Sequence, residues 1–145
     1  MDTNALKKFA QAARNLLIEQ VRSKLDLVVD LTSAARREHP QAMKGLDSAI
    51  AREGKAQVIE QVAYTWFNRF TALRFMDANG YTSVGSVSPA EGQTRPEILA
   101  EAMAGNLPDG APENIIALLD GRAPSSNPQA EAYRLLLVQA CNQWH

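Results

Sequence analysis

The sequence predicts an all-α fold of five to seven helices, on three observations. Apolar residues recur at steps of three and four over long segments. Proline, glycine and small polar residues fall where such segments begin and end. Alternation of the strand kind is weak and confined to the neighbourhood of Val84 and Val87.

The first element runs from Asn4 to about Val29. Leu6, Phe9, Ala13, Leu16, Leu17, Val21, Leu25 and Val28 make its apolar stripe, and Thr3 or Asn4 can cap its free N–H groups. The opposite side carries Lys7, Gln11, Arg14 and Arg22, with Lys8 and Lys24 close by. Ser33 can cap a short helix that His39-Pro40 ends, because a residue before proline avoids helical torsions. A third helix is expected from Pro40 to Glu53, with Gly54 as a left-handed stop.

The fourth helix, about Lys55 to Asn79, contains "AYTWFNRFTALRFMDANGY", Ala63 to Tyr81. At about 100° per residue, Ile59, Val62, Ala63, Trp66, Phe70 and Leu73 share one face, and Gln61, Thr65, Asn68 and Thr71 lie opposite. Aromatic residues at this spacing are usually core, so the helix is expected to be the spine of the domain and to pack against the first. Phe67 and Phe75 lie off the main face and call for cover on a second side. Gly80 suits the end of the helix.

A loop with room for a short hairpin is expected near 81–94. Thr94-Arg95-Pro96-Glu97 then matches a capping box and opens a helix of about ten residues that ends at Gly105. A shorter helix starts at Pro112, buries Ile115, Leu118 and Leu119, and stops at Gly121. Asn127 caps the last helix, with Pro128 in its first position and Tyr133, Leu136, Leu137, Ala140, Cys141 and Trp144 at helical spacing. The chain is still apolar and periodic at Trp144, which suggests a longer polypeptide.

The 145 residues suit one domain with a core, and 46% hydrophobic with 21% charged residues reads as globular. A net charge of −1 gives no overall basic signal for nucleic acid. The charge is uneven, with an excess of +3 through Lys55 and of −4 from Ala56 onward. The lone Cys141 fits a reducing compartment, and no run of about eighteen apolar residues is present, so a cytoplasmic protein with no membrane partner is expected.

Little in the chain resembles catalytic machinery. His39 and His145 are the only histidines, no metal-ligand spacing exists, and there is no phosphate-binding glycine loop. The basic stripe of the first helix is either a solvated face or a contact for DNA phosphates. Arg69 and Arg74 can pair with Asp77 or other acids, or reach phosphate.

The Ala63–Tyr81 segment closely resembles the N-terminal region of the PglX family, adenine-specific DNA methyltransferases of the BREX phage-defence systems of bacteria and archaea. "AREGKAQVIEQVAYTWFNRF" leads into it, "RPEIL" and "YRLLLVQACNQWH" follow, and the opening "NALKKFAQAARNLLIEQV" is also similar. The resemblance implies a parent enzyme that uses S-adenosylmethionine to methylate adenine N6 in host DNA, and that acts with other BREX components against unmarked phage DNA. Such an enzyme needs a cofactor-binding Rossmann-like domain and an Asn-Pro-Pro-Tyr type motif, whose ring stacks on the flipped base. "SNPQ", Ser126 to Gln129, lacks the second proline and the aromatic residue. No catalytic, cofactor-binding or metal residue therefore carries over to this chain.

What the resemblance implies here is a single helical N-terminal domain over 1–145, with the methyltransferase core beginning after His145. Its expected role is to help hold double-stranded DNA or support that core. The alternative is a module that docks other BREX components or a phage antagonist. Lys7, Lys8, Arg14 and Arg22 are the first candidates for DNA contact, and Arg69 and Arg74 the second.

Overall fold

In a computed structural model, which describes residues 2–143, the first helix starts one residue earlier than expected. The cap is Asp2, whose carboxylate accepts from the N–H groups of Asn4 at 2.9 Å and Ala5 at 3.1 Å. A carboxylate at that end also meets the positive pole of the helix dipole, which a Thr3 hydroxyl cannot match. The described residues form seven helices in order: α1 Thr3–Val29, α2 Ala34–Glu38, α3 Pro40–Glu53, α4 Lys55–Ala78, α5 Glu97–Met103, α6 Asn114–Leu119 and α7 Pro128–Gln143. The all-α expectation holds, and the only β pairing among the described residues is an isolated bridge between Pro89 and Pro96. The described chain forms two compact units, one up to Asn68 and one from Arg69.

In the first unit Ser33 caps α2 as the sequence suggested. Its Oγ accepts from the Arg36 N–H at 3.3 Å and donates to the Val28 carbonyl at 2.7 Å. Arg36 is the staple of this unit. Its guanidinium donates to the carbonyls of Val29 at 2.7 Å and Asp30 at 3.1 Å, where α1 ends. It also grips both oxygens of Asp47 on α3, at 2.8 and 3.0 Å. One side chain thus satisfies terminal helix carbonyls and makes a bidentate ion pair. The Arg36 hydrogen bond holds the Asp47 carboxyl below its ordinary range.

Gly54 separates α3 from α4 at φ 91° and ψ 150°. The expected left-handed turn would have ψ near 50°; this conformation is instead the extended, positive-φ region open almost only to glycine. The buried side chains of the unit are Leu25, Met43, Val58, Ile59 and Ala63. Two ion pairs join α1 and α4, Arg14 with Glu60 at 3.6 Å and Lys55 with Asp26. The expected apolar contact is only partial. Ala13, Leu17, Val21 and Val28 are half-buried, but Leu6, Phe9, Leu16 and Leu27 are more than half exposed. The apolar arc of α1 is wider than the surface its own unit covers.

The second unit contains the end of α4, the loop from Tyr81 and helices α5 to α7. Ile98, Leu99, Ala102, Ile115, Ala132 and Leu136 make its core, and Ile115 and Leu136 are wholly buried. Val84, Leu107, Ala111, Leu119 and Tyr133 pack against it. Gly80, at φ 71°, ends α4, and the Tyr81 N–H closes back on the Met76 carbonyl at 2.9 Å.

The expected capping box does not form. Pro96 precedes α5, and the Glu97 carboxylate accepts from the Gly85 N–H at 3.1 Å instead of reaching back to Thr94. The first free N–H groups of α5 find loop carbonyls, Glu97 on Ser88 at 3.0 Å and Ile98 on Gly85 at 2.9 Å. The loop therefore serves as the cap. A Cβ on Gly85 would sit 2.6 Å from the Ser88 oxygen, so this close turn demands glycine. Helix α5 has seven residues where about ten were expected, and α6 begins at Asn114, after Pro112. Helix α7 starts as expected, with Asn127 Oδ1 accepting from the Ala130 N–H at 3.2 Å and Pro128 in its first position. Trp144 lies outside the described residues.

Candidate functional site

The aromatic stretch on α4 is not the core that its spacing suggested. Trp66, Phe67 and Phe70 are half-buried, and Tyr64, Phe75 and Tyr81 are more than half exposed. The fully buried positions of the helix are the aliphatic ones, Val58, Ile59, Ala63 and Leu73. Gln61, Thr65, Asn68 and Thr71 are exposed, as expected of the opposite face. Phe75 and Tyr81 tilt against each other, with ring centroids 6.1 Å apart and planes at 56°.

The six basic candidates fall into different surroundings. Lys7 and Lys8 are exposed in the first turns of α1. Arg14 faces Glu60 of α4, so it lies on the side of α1 that its own unit approaches. Arg22 bonds Glu19, three residues back along α1, at 2.8 Å. Arg69 is half-buried in the second unit, where its charge acts on the Cys141 thiol. Burial outweighs that charge and pushes the thiol up, which makes Cys141 a poor nucleophile. Arg74 donates to the Ser88 Oγ at 2.5 Å.

Sequence reasoning missed Asp77 as the organiser of the loop after α4. Its Oδ1 accepts from the Thr82 hydroxyl at 2.8 Å and the Ser86 N–H at 3.0 Å. Its Oδ2 accepts from the N–H groups of Val87 and Ser88, both at 3.0 Å. Burial raises the carboxyl's affinity for a proton, but the hydrogen bonds from Ser86, Val87 and Thr82 together outweigh it and hold the group below its ordinary range. A signal was available. An aspartate in the last turn of a helix opposes the dipole and calls for donors from the segment after the helix. On the far side of the same loop, the Tyr133 hydroxyl donates to the Ser86 carbonyl at 2.9 Å. Burial, and then the Asp77 charge, push that phenol up to about 12.

A cavity of about 430 Å³ opens beside this loop, with walls from Tyr81, Val84, Ile98, Leu107 and the last turns of α7. Glu101, Asp109 and Gln139 are among the polar residues that line it. No group of three or more histidine, cysteine or acidic residues is placed to hold a metal ion among the described residues. No described helix is long and apolar enough to cross a membrane.

Comparison with known proteins bears out the resemblance read in the sequence. The chain is 34% identical to the adenine-specific methyltransferase PglX of Lacticaseibacillus casei (strain Zhang) over an alignment of 134 residues, which takes in 70% of this chain and 11% of the relative. It is 27% identical to the adenine-specific methyltransferase BrxX of Escherichia coli O9:H4 (strain HS) over an alignment of 175 residues, gaps included, which takes in all of this chain and 14% of the relative. The chain thus spans little more than a tenth of the length of these curated relatives. No protein-family model matches it, and no solved structure matches it.

Proposed function

We propose that this chain is a non-catalytic helical domain from the N-terminal end of an S-adenosylmethionine-dependent, N6-adenine DNA methyltransferase of a BREX phage-defence system. In this reading the catalytic core begins after His145, and the domain supports that core or helps it to hold duplex DNA. The observation that carries the proposal is the similarity along the whole chain to a protein named as an adenine-specific methyltransferase, of which it covers only 14%. The local chemistry agrees. Asn127 caps α7 and Pro128 takes its first position, a structural role that supports this reading.

The basic side of α1 is the place where DNA would be held. Phosphate contacts there would position a duplex without reading its sequence. The test uses the full-length enzyme with Lys7, Lys8, Arg14 and Arg22 changed to Gln, and DNA affinity measured at several salt concentrations. Each lost phosphate contact lowers the slope of log K against log salt by about 0.9, so the slope falls by about 1.8 if only the two lysines touch DNA and about 3.6 if all four residues do. An unchanged slope in a normally folded enzyme would end the DNA-contact reading.

A second reading, docking to protein, is favoured by the outer side of α1. Leu6, Phe9 and Leu16 recur at steps of three and seven along one exposed line. Exposed apolar strips of this kind mark surfaces that another polypeptide covers. Other BREX components, a phage antagonist, or the core of the same enzyme are the partners this reading allows. Binding that is nearly indifferent to salt would separate it from the first.

A further inference from the structure

The end of α4 carries the only Asn-Gly pair of the chain, Asn79-Gly80, and both residues are exposed. Asparagine before glycine is the pair most open to attack by the main chain on its own side chain, because no Cβ shields the glycine nitrogen. Open space surrounds the place where a Cβ of Gly80 would stand. The helix end itself is closed by a complete Schellman motif. The Tyr81 N–H donates to the Met76 carbonyl at 2.9 Å, and the Gly80 N–H to the Asp77 carbonyl at 3.2 Å. Gly80 takes the positive φ, 71°, that this motif requires. The tilted contact of the Phe75 and Tyr81 rings supplies the apolar clasp that commonly goes with it. The Asn79 amide is tied as well, since its Nδ2 donates to the Phe75 carbonyl at 2.7 Å, one turn back along the helix. Both groups that would react are thus engaged, the Gly80 N–H on Asp77 and the Asn79 amide on Phe75.

We propose that Asn79 is a site of spontaneous deamidation, that the Schellman motif is its lock, and that the isoaspartyl product keeps the lock from closing again. The step is internal and consumes only water. When the last turn opens, the Gly80 nitrogen gives up its proton to solvent and attacks Asn79 Cγ. The Cγ–Nδ2 bond breaks, and ammonia leaves with a proton returned by solvent. Water then opens the cyclic imide at either carbonyl, with no oxidation or reduction. Opening at one carbonyl restores the ordinary peptide link, with an aspartate at position 79. Opening at the other runs the main chain through Cβ and makes an isoaspartate. That isomer adds a methylene to the backbone just before Gly80, so the Gly80 and Tyr81 N–H groups no longer stand in register with the Asp77 and Met76 carbonyls. Either product also sets a negative charge at the negative pole of α4. Because the reaction requires opening, its rate reports the local stability of this helix end as well as the reactivity of the pair. The inference concerns the second unit alone and does not depend on the methyltransferase reading.

The test incubates the whole chain at mildly alkaline pH, folded and in denaturant. The peptide that contains Asn79 is read by mass spectrometry, with fragmentation that separates aspartate from isoaspartate. In denaturant Asn79 should react ahead of every other asparagine, with isoaspartate the larger product. In the folded chain it should react more slowly, by about tenfold or more. Phe75→Ala removes the clasp at an exposed position, where the fold is not in question, and should recover part of that difference. Asn79→Gln, which closes an imide far less readily, should stay unmodified throughout. The isoaspartyl form is then separated by chromatography, and hydrogen exchange is read at the Tyr81 amide. Protection there should be lost in the isoaspartyl form and largely kept in Asn79→Asp, which carries the charge without the extra methylene. Equal rates in the folded and unfolded chain would overturn the lock. No product in folded Phe75→Ala, over many half-lives of the unfolded chain, would overturn the site. Tyr81 protection retained in the isoaspartyl form would overturn the consequence drawn for the end of α4.

Discussion

Removal of the Asp77 carboxylate should release the whole loop from Thr82 to Ser88. Four donors converge on it at 2.8 to 3.0 Å. Hydrogen bonds to a charged group are each worth about 1.5–3 kcal/mol, but the four are not additive. Val87 and Ser88 are only half-buried, so their freed N–H groups recover water. Ser86 is 4% exposed, and its N–H stays shut in. One charged bond lost outright and one buried donor left unpaired, less the relief of desolvating the carboxylate, come to about 3 kcal/mol for Asp77→Ala. Native-state hydrogen exchange is the suitable assay, because it reads the loop apart from the first unit. Protection of the Ser86 amide should fall about a hundredfold. Asp77→Asn, which keeps one acceptor but turns an NH2 toward the loop donors, should lie between the two. The sign with pH comes from the lowered carboxyl. Its contribution is complete above about pH 5, where the unfolded carboxyl is almost fully ionised, and disappears as pH falls through the depressed folded value. Unchanged protection of Ser86 in Asp77→Ala would refute the assignment of Asp77 as the organiser of the loop.

Leu136→Ala, at a wholly buried site, should cost about 3–5 kcal/mol by denaturant unfolding of the second unit. Trp66→Ala and Phe70→Ala should each cost less, about 1.5–3 kcal/mol, because both rings are only half-buried. A larger loss at Trp66 than at Leu136 would mean that the rings are the true core. Calorimetry of the chain with S-adenosylmethionine should give no heat of binding, and a one-to-one isotherm would contradict the non-catalytic reading.

The helices were legible because their signals are local. Ser33, Gly80, Asn127 and Pro128 act within one turn of themselves, and each takes the role that its type and position suggest. Thr94–Glu97 is instructive because the motif is present and unused. A capping box is the best arrangement available to an isolated helix start. Here the Ser88 and Gly85 carbonyls reach the same N–H groups, and Glu97 is drawn to the Gly85 N–H instead. Nothing near Thr94 announces a loop held in place by an aspartate seventeen residues earlier.

The candidate sites were less legible, since periodicity ranks residues around a helix but does not say how much of the circumference is covered. On α1 it grouped Leu6, Phe9 and Leu16 with Leu17, Val21 and Leu25, although its own unit covers only the second group. The cause is a rotation of the covered arc away from the centre of the apolar stripe. Arg14 is exposed, as a solvated stripe requires, and Glu60 of α4 lies 3.6 Å from its guanidinium. That rotation leaves a free apolar line on one flank of α1 and brings a carboxylate to the other. The free apolar line suits contact with protein, while Lys7 and Lys8, exposed in the first turns of α1, are the residues on which a DNA contact would most depend.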